Sequence, residues 1–288
     1  MSDTLQAALL GVVQGLTEFL PVSSSAHLIL ARAFFGFDSD KFGLSFDVAC
    51  HVGTLVAVLV YFRKDLAKMI AAVPQALGVR RVQSGYSPRD RATTMVAVAD
   101  REPRLIWLLV VGTIPAVIVG LLFGKVIEER MRTPSVAAVT LAAGAILMFV
   151  AERSGRKTRD EVSLTMAEAF WIGCAQAAAL IPGISRSGAT LTIALFLGLR
   201  RAEAARFIFL LAIPAILGAA VHEAPKMVKA GFPGDTATLF AIGVVTSAIV
   251  GFLAVKYFIR YLANHTLDVF AWYRLALAAA CAVWLWRS

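Results

Sequence analysis

Six long apolar runs dominate the chain, near residues 44–62, 105–124, 136–152, 204–221, 238–259 and 268–286. Each is about the length a helix needs to cross a hydrocarbon core, some 20 residues. Lipid offers no hydrogen bonds, so a run of this kind has to satisfy its own backbone, and the helix is the single-segment solution. The composition agrees: 59% of the 288 residues are apolar and 16% charged, against roughly 45 to 50% and about 25% in soluble domains. A soluble globular domain is excluded on these grounds.

Two further apolar stretches, 4–36 and 167–199, are interrupted in the middle. The interruptions read Leu20-Pro21-Val22-Ser23-Ser24-Ser25 and Ile181-Pro182-Gly183-Ile184-Ser185-Arg186-Ser187-Gly188. Proline and glycine stop helices, so each stretch is expected to be helix, loop, helix. The two stretches also match at an offset of 162: Gly11 with Gly173, Gln14 with Gln176, Ser23 with Ser185 and Ser25 with Ser187, the proline slipping by one place. Each half is then one broken hairpin followed by three spans. If a hairpin enters and leaves on one side, each half crosses an odd number of times and the second is inverted relative to the first. The expected fold is an all-α integral membrane protein, one polytopic domain over 1–288. It has six transmembrane helices plus two re-entrant helical hairpins in an inverted-topology repeat, with halves 1–153 and 163–288.

Basic residues orient it. With the N-terminus outside, segments 63–104, 153–166, 200–206 and 256–266 lie inside with nine, four, three and two Lys or Arg, eighteen in all. The outside segments carry eight: Arg32, Lys41, Lys125, Arg130, Arg132, Lys226, Lys229 and Arg287. The positive-inside bias puts both termini outside, with the first hairpin dipping from outside and the second from inside. The net charge of +9 is then assigned to cytoplasmic loops and lipid headgroups rather than to nucleic acid. With Asp3 and no Lys or Arg before Arg32, the N-terminal stretch does not read as a cleaved signal peptide. Cys50, Cys174 and Cys281 are too far apart for a disulfide framework or metal motif and are expected to pack.

Irregular backbone at membrane depth is tolerated only when it is buried in protein or lines an aqueous cavity, so the two loops are expected to meet. The helices that follow them offer hydroxyl caps and free N–H groups, and Arg186 adds a full charge; together these suit phosphate or carboxylate. An Arg at that depth costs about 2.5 to 3.5 kcal/mol on insertion scales, and the bland ways to offset it are a salt bridge to an acidic residue such as Glu18 or snorkelling to the interface. For Arg274, beside Tyr273 in the last span, a structural pair with an acid is the favoured reading. Gln14 and Glu18 stand at i and i+4, so both oxygen-bearing side chains share a helix face and could bind a hard cation. Ser24 and His27, at i and i+3, could act as nucleophile and base, or His27 could itself attack. His51 reads as packed or supporting, while His222 and His265 fall in expected loops.

The run Gln14-Gly15-Leu16-Thr17-Glu18-Phe19-Leu20-Pro21-Val22-Ser23-Ser24-Ser25-Ala26-His27, with residues 182–190, closely resembles the bacterial undecaprenyl-diphosphate phosphatase or bacitracin-resistance family. The likeness continues through residues 46–62 and Tyr273-Arg274. It implies a bacterial inner-membrane enzyme that removes the terminal phosphate of a C55 isoprenoid diphosphate, recycling the carrier lipid of cell-wall synthesis. It also implies dependence on a divalent cation, Mg or Ca, at Gln14 and Glu18. Position by position, Glu18, Ser24, His27 and Arg186 become the expected catalytic group, and Gln14, Ser23, Ser25, Gly183, Ser185, Ser187 and Gly188 the substrate-binding group. This chain has Gln14 where some relatives carry Glu, and Ser25-Ala26 where others have Thr-Gly. Expected partners are the polyprenyl diphosphate, membrane lipid, a second copy of the chain in a homodimer, and bacitracin only indirectly, by competing for substrate. The site is expected to open to the periplasmic face. The alternative from another class is an inverted-repeat transporter or flippase of a lipid phosphate or organic anion. A structural membrane subunit would leave Glu18 and Arg186 without purpose.

Overall fold

The computed structural model describes residues 2–38, 41–78, 101–230 and 234–287, with the backbone alone for 226–230. Arg80, Arg81, Arg89 and Arg91 of the first inside segment, and the side chains of Lys226 and Lys229, lie outside the described residues. The first half comprises α1 (Asp3–Phe19), α2 (Ser24–Phe35), α3 (Leu44–Tyr61), α4 (Arg63–Ala76), α5 (Arg101–Met131) and α6 (Pro134–Ser154). After a short 3-10 turn (Glu161–Ser163) follow α7 (Met166–Ala178), α8 (Arg186–Phe196), α9 (Arg201–Ala230), α10 (Thr236–Leu262) and α11 (Asp268–Arg287). Among the described residues the only other pairing is an isolated bridge between Arg159 and Leu199.

Six of these helices, α3, α5, α6, α9, α10 and α11, are long and apolar enough to cross a membrane. They turn large apolar side chains outward: Leu121, Leu122 and Trp286 are 69%, 68% and 85% exposed. In water such a surface would aggregate; against acyl chains it needs no cover.

Both broken stretches fold as helix, loop, helix, as their prolines and glycines require. α1 lies along α10 and α7 along α5, so each hairpin leans on a long helix of the other half. The approach is backbone to backbone. A Cβ on Gly11 would come within 2.8 Å of the Gly243 carbonyl oxygen, and one on Gly173 within 2.3 Å of the Gly112 carbonyl oxygen. Helices in lipid associate through such close packing of small residues rather than through apolar burial, and these are the two glycines that the 162-residue offset pairs. A shared core of Phe19, Leu108, Ile172, Leu191, Phe207 and Val255 then fixes both hairpins against α5, α9 and α10.

Three details differ from the sequence reading. α5 and α9 run about one turn before and about two turns or more past the expected spans, and His222 is helical rather than in a loop. α4 lies within a segment read as an inside loop; it has no buried residue, and Arg63, Lys64, Asp65 and Lys68 make it too charged to resemble a span. α2 and α8 start at Ser24 and Arg186, where the hydroxyl pattern places their starts at Ser25 and Ser187.

Candidate active site

The two loops end in the same way. Ser23 (φ 74°) and Ser185 (φ 71°) both occupy the left-handed region, where a residue other than glycine costs about 1 to 3 kcal/mol. Each is the N-cap of the helix that follows. Ser23 Oγ accepts the Ala26 N–H at 3.4 Å and Ser185 Oγ the Gly188 N–H at 3.1 Å, satisfying one of the orphan donors that a helix start leaves free. Each also pairs with the hydroxyl two residues on, Ser23 with Ser25 at 3.2 Å and Ser185 with Ser187 at 3.3 Å.

The loops touch. The Gly183 N–H donates to Ser25 Oγ at 3.5 Å, and Ser187 Oγ donates to the Leu20 carbonyl at 3.0 Å. Three of the expected substrate-binding residues, Ser25, Gly183 and Ser187, are thus engaged in joining the loops.

Glu18, 6% exposed, is where the donors converge. Its Oε2 accepts from Gln14 Nε2 at 2.8 Å and from Ser24 Oγ at 2.6 Å. Arg186 Nη2, from the other loop, forms an ion pair with Oε1. The bland reading of Arg186, a salt bridge to Glu18, is therefore present in the structure, with Ser24 in the same cluster. His51 Nε2 stands 3.3 Å from Glu18 Oε2, while its Nδ1 lies 2.7 Å from the Asp47 carbonyl. The sequence had offered only a supporting place for His51; the signal was a lone imidazole in an otherwise apolar span.

The Ser24–His27 pairing that the i, i+3 spacing suggested does not form. His27 Nδ1 lies 2.8 Å from the Ser23 carbonyl and Nε2 lies 2.7 Å from Tyr273 Oη. A carbonyl can only accept, so Nδ1 carries a hydrogen and donates it to the Ser23 carbonyl, while Nε2 is hydrogen-bonded to the Tyr273 hydroxyl. Both nitrogens are occupied and the Ser24 hydroxyl turns to Glu18. Arg274 also differs: it is fully buried, with no carboxylate partner among the described residues, and donates instead to backbone carbonyls of α6 and of both loops.

Gln14 Oε1 is buried and has no hydrogen-bond partner among the described residues, although the rest of the side chain is held by Glu18. No group of three or more His, Cys, Asp or Glu that could hold a metal occurs among the described residues, so any cation here would rest on mixed oxygen donors. Around Glu18, Arg186, Ser187, Phe209 and Ala212 there is a narrow cleft of about 10 Å³, room for about one water. A much larger groove of about 430 Å³, between α4, α5 and α9, is lined by Leu109, Val110, Ile114, Val117 and other apolar side chains. Its one polar lining side chain among the described residues, Thr113, donates to the Leu109 carbonyl at 2.6 Å.

A family model described as bacitracin resistance protein BacA matches residues 7–280. The chain is similar to the undecaprenyl-diphosphatase of Rubrobacter xylanophilus, 48% identical over 285 residues that cover 99% of each chain. It is also similar to the undecaprenyl-diphosphatases of Thermodesulfovibrio yellowstonii, 41% identical over 96% of each chain, and Trichlorobacter lovleyi, 40% identical over 95% of this chain and 94% of that one.

Proposed function

This chain belongs to the bacitracin resistance protein BacA family, and from that membership we propose that it is a multi-pass membrane phosphatase that hydrolyses undecaprenyl diphosphate to undecaprenyl phosphate and phosphate. The product is the carrier lipid of cell-wall synthesis. Bacitracin resistance follows when hydrolysis draws down the lipid diphosphate for which the antibiotic competes. The basic-residue asymmetry supports a place in the bacterial inner membrane, with the hairpin that carries Glu18 dipping from the periplasmic side. The swapped packing of α1 on α10 and α7 on α5 supports two re-entrant hairpins in inverted halves.

The observation that carries the chemistry is the convergence of Gln14, Ser24 and Arg186 on Glu18. The cleft of about 10 Å³ is too small for a diphosphate, so binding begins with Arg186 leaving Glu18 for a phosphate oxygen, which its planar fork suits. Glu18 then keeps the Ser24 hydroxyl. Ser24 Oγ donates to a carboxylate at 2.6 Å, so Glu18 is the base within reach and Ser24 is our choice of nucleophile: Glu18 takes the hydroxyl proton, the oxygen bonds to the terminal phosphorus as undecaprenyl phosphate leaves, and water then cleaves the phosphoserine to release phosphate. The phosphate charge that grows as the P–O bond breaks falls to Arg186 and to the N-terminal ends of α2 and α8. His27, clamped between Ser23 and Tyr273, holds the loop that presents Ser24.

The unpartnered Gln14 Oε1 beside Glu18 fits a hard divalent cation, Mg or Ca. Gln14 and Glu18 would hold it, and when bound it supplies Lewis-acid charge to the diphosphate.

The test is phosphate release from undecaprenyl diphosphate by the purified protein in detergent, with and without chelator, for wild type and Ser24→Ala. Release by wild type and its loss in Ser24→Ala are expected. No release by wild type under any divalent metal would overturn the reading.

A further inference from the structure

Arg274 is the one arginine of the transmembrane core that meets no carboxylate among the described residues, and it is fully buried. A lone cation there is expensive, and its bonds show what offsets it. Nε donates to the Leu141 carbonyl at 3.2 Å, Nη1 to that of Pro21 at 3.3 Å, and Nη2 to those of Thr140, Gly183 and Ile184 at 3.2, 3.0 and 3.1 Å. These acceptors lie on three separate segments: α6, the loop before α2 and the loop before α8. Space has been cleared for the fork. A Cβ on Gly144 would stand 2.1 Å from Arg274 Nη2, and one on Gly188 2.7 Å from Nη1.

The carbonyls that Arg274 gathers matter to an anion. A loop turns either its oxygens or its N–H groups toward a given side, and in a planar trans peptide the two point in opposite directions. Binding the oxygens of Pro21, Gly183 and Ile184 therefore turns the N–H groups of Val22, Ile184 and Ser185 away from Arg274. The first two close tight turns, onto Leu20 and Ile181. That of Ser185, next to Arg186, is engaged in no bond among the described residues.

We propose that Arg274 is a positioning residue for the phosphatase site: from α11 it fixes the spacing of the two loops and turns their carbonyl oxygens away from the bound phosphate. The inference rests on the phosphatase reading above. Arg274 does not touch substrate; it sets the separation of Ser24 and Glu18 on one side from Arg186 on the other. A shift of about 1 Å in such a geometry can cost about 10²-fold in rate.

Two variants test it, Arg274→Lys and Gly144→Ala. Lys keeps the charge but, as a single ammonium, cannot bridge three segments. Gly144→Ala leaves Arg274 in the sequence and forces its guanidinium to move, while alanine favours the α6 helix more than glycine does. For each, kcat and KM for phosphate release are measured on folded protein, together with hydrogen exchange in residues 20–27 and 181–190. The expected result is a kcat lowered by about 10²-fold in Arg274→Lys and by a smaller factor in Gly144→Ala, with faster exchange in both loops. If Arg274→Lys does not fold, Gly144→Ala decides alone. Wild-type kcat in Gly144→Ala, or slowed turnover with exchange unchanged in both loops, would overturn the inference. An inactive wild type would instead refute the phosphatase reading, and the exchange comparison would still report whether Arg274 holds the loops.

Discussion

Glu18 and Arg186 stand 168 residues apart in the chain and form one ion pair, the carboxylate supplied by the end of α1 and the guanidinium by the start of α8. At the matched positions, 162 residues on from Glu18 and 162 back from Arg186, the chain has Leu180 and Ser24. Neither hairpin carries both charges.

That division predicts asymmetric variants. Glu18→Gln leaves Arg186 without its counter-charge and Ser24 without its base. We expect turnover to fall by at least 10²-fold and stability to drop by about 3 to 5 kcal/mol, the usual result of orphaning one member of a buried pair. Phosphate release and thermal unfolding in the same detergent measure both. Wild-type turnover in Glu18→Gln would remove Glu18 from the mechanism.

Ser24 and His27 should separate. Ser24→Ala deletes the proposed nucleophile and should abolish turnover. Tyr273→Phe removes the hydroxyl held by His27 Nε2, so Tyr273→Phe and His27→Ala should show similar, partial losses of kcat. If His27→Ala is as inactive as Ser24→Ala while Tyr273→Phe is fully active, His27 takes part in the chemistry directly.

Gln14 offers an unpaired amide oxygen beside a carboxylate. Gln14→Glu should retain activity at a lower metal requirement, whereas Gln14→Leu should need more metal or fail. A metal titration of phosphate release distinguishes these, and full activity of Gln14→Leu at low metal would make the position a packing one.

At the start of the second hairpin, Arg159 grips Glu168 with Nη1 at 2.7 Å and Nη2 at 3.0 Å. These bonds, with the Thr165 N–H, hold the Glu168 carboxyl down at about 2. A depressed carboxylate stabilises above its unfolded value of roughly 4 to 4.5, and that contribution disappears as pH falls toward 2. Hydrogen exchange at residues 165–168, which the Glu168 carboxylate caps, should quicken as pH falls below about 5 once corrected for intrinsic rates. Glu168→Gln should flatten the response; protection that increases on acidification would contradict the assignment.

The close approach of α1 to α10 predicts a stability effect far from the chemistry. Gly11→Ala places a methyl within 2.0 Å of Thr246 Oγ1 and 2.8 Å of the Gly243 carbonyl. The helices have to part, and overpacking of this kind costs about 1 to 3 kcal/mol. Thermal unfolding of Gly11→Ala measures it, and an unchanged midpoint would mean the contact is looser than described.

Spans and broken hairpins could be read from residues alone because both follow from local rules: apolar length makes a membrane helix, and Pro with Gly stops one. Gln14 above Glu18 is likewise local, one helical turn. What local rules could not supply was direction between segments. Ser24 and His27 share a face at i, i+3, yet the left-handed turn at Ser23 and the Tyr273 hydroxyl draw the imidazole away, and both effects come from tertiary structure. Arg274 looked like half of an ion pair because a lone charge in lipid needs offsetting. Five carbonyls from distant segments do that instead, and no spacing in the chain announces them. His51 was undervalued for the same reason, since its neighbour Glu18 lies on another helix.

The split of carboxylate and guanidinium between the two hairpins also bears on how the molecule is made. A chain emerging from the ribosome has Glu18, Ser24 and His27 in the membrane long before Arg186 arrives, so the phosphatase centre proposed above is incomplete until the second hairpin docks. Reactivity toward lipid diphosphate is in this way deferred until assembly is finished, and two separately expressed halves, parted between α6 and α7, would each be inert yet could restore activity on meeting in one bilayer.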